Sequence, residues 1–153
     1  AASDVYKRQI VDYAHSPGAI ESVFHSISKI KENKQKIITV IGCGGNRDIG
    51  KRPLMGNISY FNSDITIFTS DNPRNEDPSK IISEMMEGVS AENFKKTLKI
   101  LQREEAIMMS KQLVKKGDIV LIAGKGHECY QEIDGKLYPF NDLNIAKKYF
   151  KTG

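Results

Sequence analysis

The segment Lys36–Ile41 reads KIITVI, and GCGGNRDIGKR follows it as far as Arg52. The five residues after Lys36 are all β-branched and uncharged, which is typical of a strand buried on both faces. The glycines predict a tight loop, and the sequence from about Pro53 to Tyr60 is typical of a helix. A buried strand that leads through such a loop into a helix indicates an α/β domain.

Strands and helices alternate along the rest of the chain. Ser16-Pro17 and Asp77-Pro78 mark helix starts, because Ser or Asp caps the first amides and Pro suits the first turn. Further strands are predicted over Ile10–Ala14, Asp64–Thr69 and Ile119–Ala123, further helices over Arg103–Val114 and Asn141–Phe150, and a hairpin turn at Ile133–Lys136. The alternation predicts an α/β domain with a mostly parallel sheet.

The composition favours one globular domain with a small-molecule ligand. Of the 153 residues, 39% are hydrophobic and 27% are charged, which excludes a disordered or membranous chain. No signal peptide is visible, and Cys43 and Cys129 do not form a disulfide framework, so we expect a cytoplasmic protein. The net charge of +4 is compatible with nucleic acid, but most lysines fall on predicted helix faces. Basic residues directly after strands favour a small anion instead.

The first nine residues, AASDVYKRQ, do not fit the pattern that follows. We predict that residues 1–9 are a non-native leader and that the domain comprises residues 10–153.

Four loops follow predicted strands, and all four carry unusual residues. In a parallel sheet the ligand lies beyond the carboxyl ends of the strands, so we expect these loops to converge on one rim. The loops are 12–17, 42–52, 71–74 and 124–128.

The loop after KIITVI is close to a nucleotide-binding P-loop but departs from it. From Gly45 it reads G-x-x-x-x-G-K-R, so Arg52 stands where a Ser or Thr hydroxyl would bind Mg²⁺. A tight turn explains the glycines without any ligand. It does not explain Arg47, whose guanidinium can hold a carboxylate or phosphate through two hydrogen bonds.

The loop Asp71-Asn72-Pro73-Arg74 likewise combines residues typical of a turn with an arginine. Pro73 restricts its own φ and biases Asn72 toward an extended shape. Two interpretations of Asp71 stay open, a turn cap and a ligand contact. Arg74 is not needed for a turn, so we predict that it binds a carboxylate together with Arg47.

The last loop reads GKGHE, over residues 124–128, and the glycines of this loop allow a ligand to approach the backbone. His127 alone is more typical of a structural residue. Glu128 opposite two arginines suits a zwitterion, so we predict that Glu128 binds the ammonium group, with Asp71 as the rival. Asp12 and His15 suit a ribose or base contact better than a metal site.

Together the stretches DYAHSP, GCGGNRDIGKRPLM, TSDNPRNEDP and AGKGHE resemble the C-terminal domain of the Mur ligase family, over residues 10 to 150. The resemblance implies a Rossmann-like domain with helices on both faces of the sheet. It also implies a part in ATP-dependent amide formation on UDP-MurNAc-L-Ala-D-Glu. The match is to members that add meso-diaminopimelate during peptidoglycan synthesis.

The resemblance also implies roles for individual residues. Those that fall on diaminopimelate-binding positions are Arg47, Asp71, Asn72, Pro73, Arg74, Gly124 and Glu128. Asp12 and His15 fall on the motif that faces ATP. Asn46, Ile49 and Cys129 depart from the family's usual residues without removing a charge that the substrate needs.

The P-loop, the Mg²⁺ ligands and the UDP-sugar pocket of the family belong to preceding domains. We therefore expect a fragment that is inactive alone and whose partners are those domains, ATP, diaminopimelate and the UDP-linked dipeptide. No catalytic residue, bound metal, nucleic acid or membrane is expected. A stand-alone amino-acid or nucleotide-binding module, or a ligase for lysine or another amino acid, stays open as an alternative.

Overall fold

A five-stranded, wholly parallel sheet forms the centre of the protein. The structure, a computed structural model, describes residues 7–150 and the side chains of residues 9–150. The strands are β1 (Lys7–Asp12), β2 (Ile37–Ile41), β3 (Ile65–Phe68), β4 (Thr97–Lys99) and β5 (Asp118–Ala123). Their order in the sheet is β1-β5-β2-β3-β4, so β1 and β4 are the edges.

The central strands are buried because helices cover both faces of the sheet. The helices are α1 (Pro17–Ile30), α2 (Lys51–Asn62), α3 (Pro78–Met86), α4 (Arg103–Leu113) and α5 (Asp142–Phe150). Side chains of α1, α2 and α3 pack with Ile41 and Phe68 on one face. Side chains of α4 and α5 pack with Val40 and Ile67 on the other. The predicted α/β fold, with helices on both faces, is confirmed.

Local sequence signals account for several element ends. The Ser16 hydroxyl accepts a hydrogen bond from the Ala19 amide and Asp77 accepts one from the Ser79 amide, as expected of N-caps. The predicted hairpin forms from β6 (Tyr130–Ile133) and β7 (Lys136–Pro139) as a separate antiparallel pair. Asp134 and Gly135 have φ of 51° and 76°, the left-handed geometry of a two-residue hairpin turn.

Two elements were not anticipated from sequence. One is the 3₁₀-helix Ala91–Lys96, and the other is edge strand β4, which directly follows it. Strand β4 has only three residues, and two of them are exposed. It is too short to show a periodic hydrophobic pattern, so its formation depends on pairing with β3.

The first strand extends beyond its predicted start. It begins at Lys7 rather than Ile10, and its backbone pairs with β5 from Asp118 onward. Residues 1–6 of the predicted leader lie outside the described residues. Within residues 7–150, none of the helices has the length and apolar character needed to cross a membrane.

Candidate functional site

The four loops converge at the carboxyl edge of the sheet and enclose a polar cavity of about 300 Å³. Its walls contain seven of the nine residues singled out from sequence: His15, Arg47, Asp71, Asn72, Arg74, Gly124 and Glu128. They also contain Tyr13, Gly44, Asp48 and Lys51, which sequence reasoning missed although all four belong to the quoted loops. The expected convergence therefore occurs, because parallel strands end on one side.

The other two residues, Pro73 and Asp12, do not line this cavity. The Pro73 carbonyl lies against Gly45, where any Cβ would overlap with it, so Pro73 fixes how two loops pack. Asp12 accepts a hydrogen bond from the Ala14 amide at 2.8 Å and lines a separate cavity between β1 and α1. Asp12 and His15 therefore do not share a cavity.

Arg74 is held in an unusual conformation. Its φ is 53°, which is uncommon for a residue with a side chain. Its Nε donates to Glu132 Oε1 at 3.0 Å and its Nη1 to the Gly45 carbonyl at 2.9 Å. Nη2 has no hydrogen-bond partner among residues 7–150, so part of the guanidinium can still bind a ligand.

The β6–β7 hairpin imposes this conformation on Arg74. The Arg74 amide donates to the Glu132 carbonyl at 2.9 Å, and the Asp134 amide donates to the Arg74 carbonyl at 2.8 Å. The Glu132 amide in turn donates to Asn72 Oδ1 at 3.0 Å. The hairpin thus extends the loop after β3 by strand-like pairing. Sequence reasoning predicted the hairpin but not Glu132, which local sequence does not connect to Arg74.

Arg47, by contrast, is exposed and weakly held. Its Nη1 donates to the Asn46 carbonyl at 3.1 Å, and none of the described carboxylates pairs with it. On the same wall Lys51 Nζ donates to the His15 carbonyl at 2.8 Å. Arg47 and Arg74 therefore contribute cationic groups from two different loops to one cavity.

A second wall of the cavity, which contains Asp71 and Glu128, is acidic and is backed by a buried lysine. Lys125 is fully buried, and its Nζ lies 3.2 Å from Asp71 Oδ1, 2.8 Å from Asn72 Oδ1 and 3.2 Å from Glu128 Oε1. Two carboxylates share this ammonium, so the wall retains one negative charge. Sequence reasoning missed Lys125, whose only signal was its place between two glycines.

Gly124 allows this wall to close. Its φ of 118° disfavours any other residue, and a Cβ there would lie 2.9 Å from Asp71 Oδ2. The glycine therefore lets the loop after β5 approach the loop after β3.

The charges of the two walls are complementary to an amino acid. Arg47 and Arg74, partly offset by Glu132, leave one positive charge, and the charges of Asp48 and Lys51 cancel. Asp71 and Glu128 with Lys125 leave one negative charge. A carboxylate and an ammonium group on one carbon match this arrangement.

Arg52, the residue at which the loop departs from the P-loop pattern, has a structural role. It is fully buried and donates to Glu76, Glu84 and the Gly44 carbonyl. The hydrogen bond from Arg52 lowers the pKa of Glu76 to about 2. Nearby, burial raises the pKa of the Cys43 thiol to about 12, so Cys43 is an inert core residue.

The histidines form no metal site. His15 Nδ1 lies 2.9 Å from the Tyr13 carbonyl, and His127 lies outside the cavity. Within residues 7–150 there is no group of three or more His, Cys, Asp or Glu side chains able to hold a metal ion.

Comparison with known proteins shows which proteins this chain is similar to. A family model described as "Mur ligase, glutamate ligase domain" matches residues 4–126. Proteins named UDP-N-acetylmuramoyl-L-alanyl-D-glutamate–2,6-diaminopimelate ligase are similar to this chain. The one from Cytophaga hutchinsonii is 52% identical over 94% of this chain and 29% of its own length. The one from Bacteroides thetaiotaomicron is 52% identical over 92% of this chain and 29% of its own length.

A solved structure described by the same enzyme name superimposes with a TM-score of 0.86 at 40% identity, covering 95% of this chain and 29% of that one. The chain thus spans about 29% of the length of the curated relatives it matches. Because the family model covers most of the chain, and because the fold of the chain agrees with that of the solved relative, this chain belongs to the Mur ligase family.

Proposed function

We propose that this chain is the amino-acid-recognition domain of an ATP-dependent ligase. The ligase adds meso-diaminopimelate to UDP-MurNAc-L-Ala-D-Glu in peptidoglycan synthesis. The observation that carries the proposal is the cavity that Arg47 and Arg74 line together with Asp71 and Glu128. The names of the relatives support the same substrate.

In this proposal the cavity holds the end of diaminopimelate that does not react. The distal carboxylate binds Arg74 Nη2 and the exposed Arg47 guanidinium. The distal ammonium group binds Glu128, whose Oε1 is already held by Lys125. Diaminopimelate differs from lysine by this second carboxylate, so the two arginines provide the discrimination.

The nucleotide part of the proposal rests on Asp12 and His15. One Asp12 oxygen is committed to the Ala14 amide, and His15 Nε2 has no partner among residues 7–150, so both side chains retain a group for a ribose or base. In the complete ligase ATP and Mg²⁺ supply the activation of the dipeptide carboxylate. The other domains bind the UDP-linked dipeptide, and this chain alone is inactive. A cytoplasmic location belongs to the same proposal.

The test is Arg74→Ala in the complete ligase. Loss of a charge-assisted contact, with the substrate carboxylate left unpaired, costs about 2–4 kcal/mol. The specificity constant for diaminopimelate should fall roughly 30- to 1000-fold, at ~1.4 kcal/mol per decade. Steady-state kinetics with diaminopimelate, lysine and ATP each varied would measure this. The preference for diaminopimelate over lysine should fall by a similar factor.

Lys136→Ala is a matched control, because it removes an exposed cation from the hairpin that holds Arg74. It should leave the kinetic constants unchanged. If Arg74→Ala raised the KM for ATP and left the kinetic constants for diaminopimelate unchanged, Arg74 would be assigned to nucleotide binding instead. Equal use of lysine by the wild type would favour a ligase for lysine.

A further inference from the structure

Lys125 connects the two acidic residues of the cavity through hydrogen bonds and is itself buried. Its side chain is fully buried, whereas those of Asp71 and Glu128 are 8% and 23% exposed. Each of its three oxygen partners belongs to a residue that lines the cavity. The ammonium therefore lies directly behind the acidic wall.

Holding a loop in place with a buried ammonium group has a large desolvation cost. Removing a charge from water costs several kcal/mol, and apolar residues of similar volume often stabilise a fold as well or better. Stability alone therefore does not account for a lysine here. The carboxylates that Lys125 contacts line the cavity, whereas Glu76 and Glu84, the carboxylate partners of the buried Arg52, do not.

Lys125 also determines which oxygen of Glu128 remains available. Glu128 Oε1 lies 3.2 Å from Lys125 Nζ and 3.3 Å from Asn72 Nδ2. Oε2 has no hydrogen-bond partner within the described part of the chain. Two donors on one oxygen orient the carboxylate and leave the other oxygen for a cation.

The same contacts link the two walls. Asn72 Oδ1 accepts from Lys125 Nζ at 2.8 Å and from the Glu132 amide at 3.0 Å, and the Glu132 side chain pairs with Arg74. The position of the ammonium-binding group is thereby tied to the position of the carboxylate-binding group. Their separation is the quantity on which recognition of an amino acid depends.

We propose that Lys125 is a positioning residue that determines specificity for the distal ammonium group of the substrate. It orients Glu128 and limits the acidic wall to one net negative charge, which matches one ammonium. This inference rests on the proposed function, since it assumes that the cavity binds the distal end of diaminopimelate.

The experiment compares two substrates in the complete ligase. One is meso-diaminopimelate, and the other is 2-aminopimelate, which keeps the reacting amine and both carboxylates but lacks the distal amine. Lys125→Met should lower kcat/KM for diaminopimelate roughly 10- to 100-fold, the range of one charge-assisted hydrogen bond. It should change kcat/KM for 2-aminopimelate less than about threefold. The loss should fall on KM, because Lys125 does not touch the reacting atoms.

Three further variants separate positioning from folding. Lys125→Gln keeps a hydrogen-bond donor without the charge and should also reduce the preference for diaminopimelate. Arg52→Met removes an equally buried cation with two carboxylate partners. It should lower the melting temperature without changing the ratio of the two specificity constants. If Lys125 acts through Glu128, adding Lys125→Met to Glu128→Gln should not further reduce the ratio of kcat/KM for diaminopimelate to kcat/KM for 2-aminopimelate.

The outcomes distinguish this inference from the proposed function. If wild type uses both substrates equally well, the cavity does not bind the distal ammonium group and the proposed function fails. If wild type prefers diaminopimelate and both Lys125 variants keep that preference, the proposed function stands and Lys125 has only a structural role. The inference is also overturned if Lys125→Met lowers kcat/KM equally for both substrates.

Discussion

At the residue scale, Glu76 holds two of the cavity loops together without lining the cavity. Its carboxylate accepts from Arg52 Nη1 and Nη2 at 3.1 and 2.8 Å, and from the Asn46 amide. These donors stabilise the ionised form and lower the pKa of Glu76 from 4.5 to about 2. Because folding lowers this pKa, the stabilisation is present above pH 4.5 and is lost as the pH falls toward 2.

We therefore predict that Glu76→Gln destabilises the protein at pH 7 and that its deficit shrinks as the solution is acidified. Urea unfolding of both proteins at several pH values between 7 and 2.5 would measure the difference in unfolding free energy. Glu92→Gln, at an exposed position, is the control and should show a small, constant difference. A Glu76→Gln deficit that did not vary with pH would contradict the assignment of the Arg52 ion pair.

At the element scale, the approach of α2 to α3 depends on Gly56. This glycine is buried within α2, and a Cβ there would overlap with the backbone carbonyl of Met85 at the end of α3. A glycine inside a helix costs about 1 kcal/mol relative to alanine, so helix propensity alone would favour replacement. The close helix contact has the opposite effect. Overpacking typically costs about 1–3 kcal/mol, and a rigid backbone cannot turn aside as a side chain can.

We predict that Gly56→Ala lowers the unfolding free energy by about 1–2 kcal/mol net, with sterics outweighing propensity. Chemical denaturation would measure the loss. Gly18→Ala in α1 is the matched control, because nothing lies within 4 Å of a Cβ at that position. It should be neutral or slightly stabilising. If both substitutions stabilised the protein, the helices would have room to separate at no cost.

At the scale of the whole molecule, one buried ion pair connects the second helical face to the cavity rim. Arg103 in α4 and Asp142 in α5 are both buried, with Nη2 2.7 Å from Oδ2. Arg103 also donates to the Ser70 and Ala123 carbonyls at 3.1 and 3.0 Å, where β3 and β5 lead into their loops. Two helices and two loops thus share one guanidinium group.

Asp142→Asn would leave the Arg103 charge buried without its counter-ion. We predict a loss of about 3–5 kcal/mol in unfolding free energy, the cost of breaking one buried pair. Glu104→Gln is the control, since Glu104 pairs with Lys148 at 3.0 Å across the same two helices but at the surface. Its cost should be a small fraction of the Asp142 value. Similar losses for both variants in urea unfolding would show that burial adds nothing to the Arg103 pair.

Hydrophobic patterns and helix caps predicted the layers of the fold and the edge at which the cavity forms. Runs such as Ile37–Ile41 must be buried on both faces, and helical patterns with Ser16 and Asp77 caps supply the cover. Parallel strands end on one side, so the loops that follow them converge. These inferences were accurate because hydrophobic period and capping are local properties of the chain.

Local patterns did not predict the strand order, the pairing of β4 or the partners of the charged side chains in the cavity, because long-range contacts set all three. Lys125 meets Asp71 across 54 residues of sequence, and Arg74 meets Glu132 across 58. Nothing local distinguishes Glu132 from other acidic residues, or a fully buried lysine from a solvated one. Such pairs depend on how loops from different strands dock, and that docking is set by the close approach of Gly45 to the Pro73 backbone and of Gly124 to the Asp71 side chain.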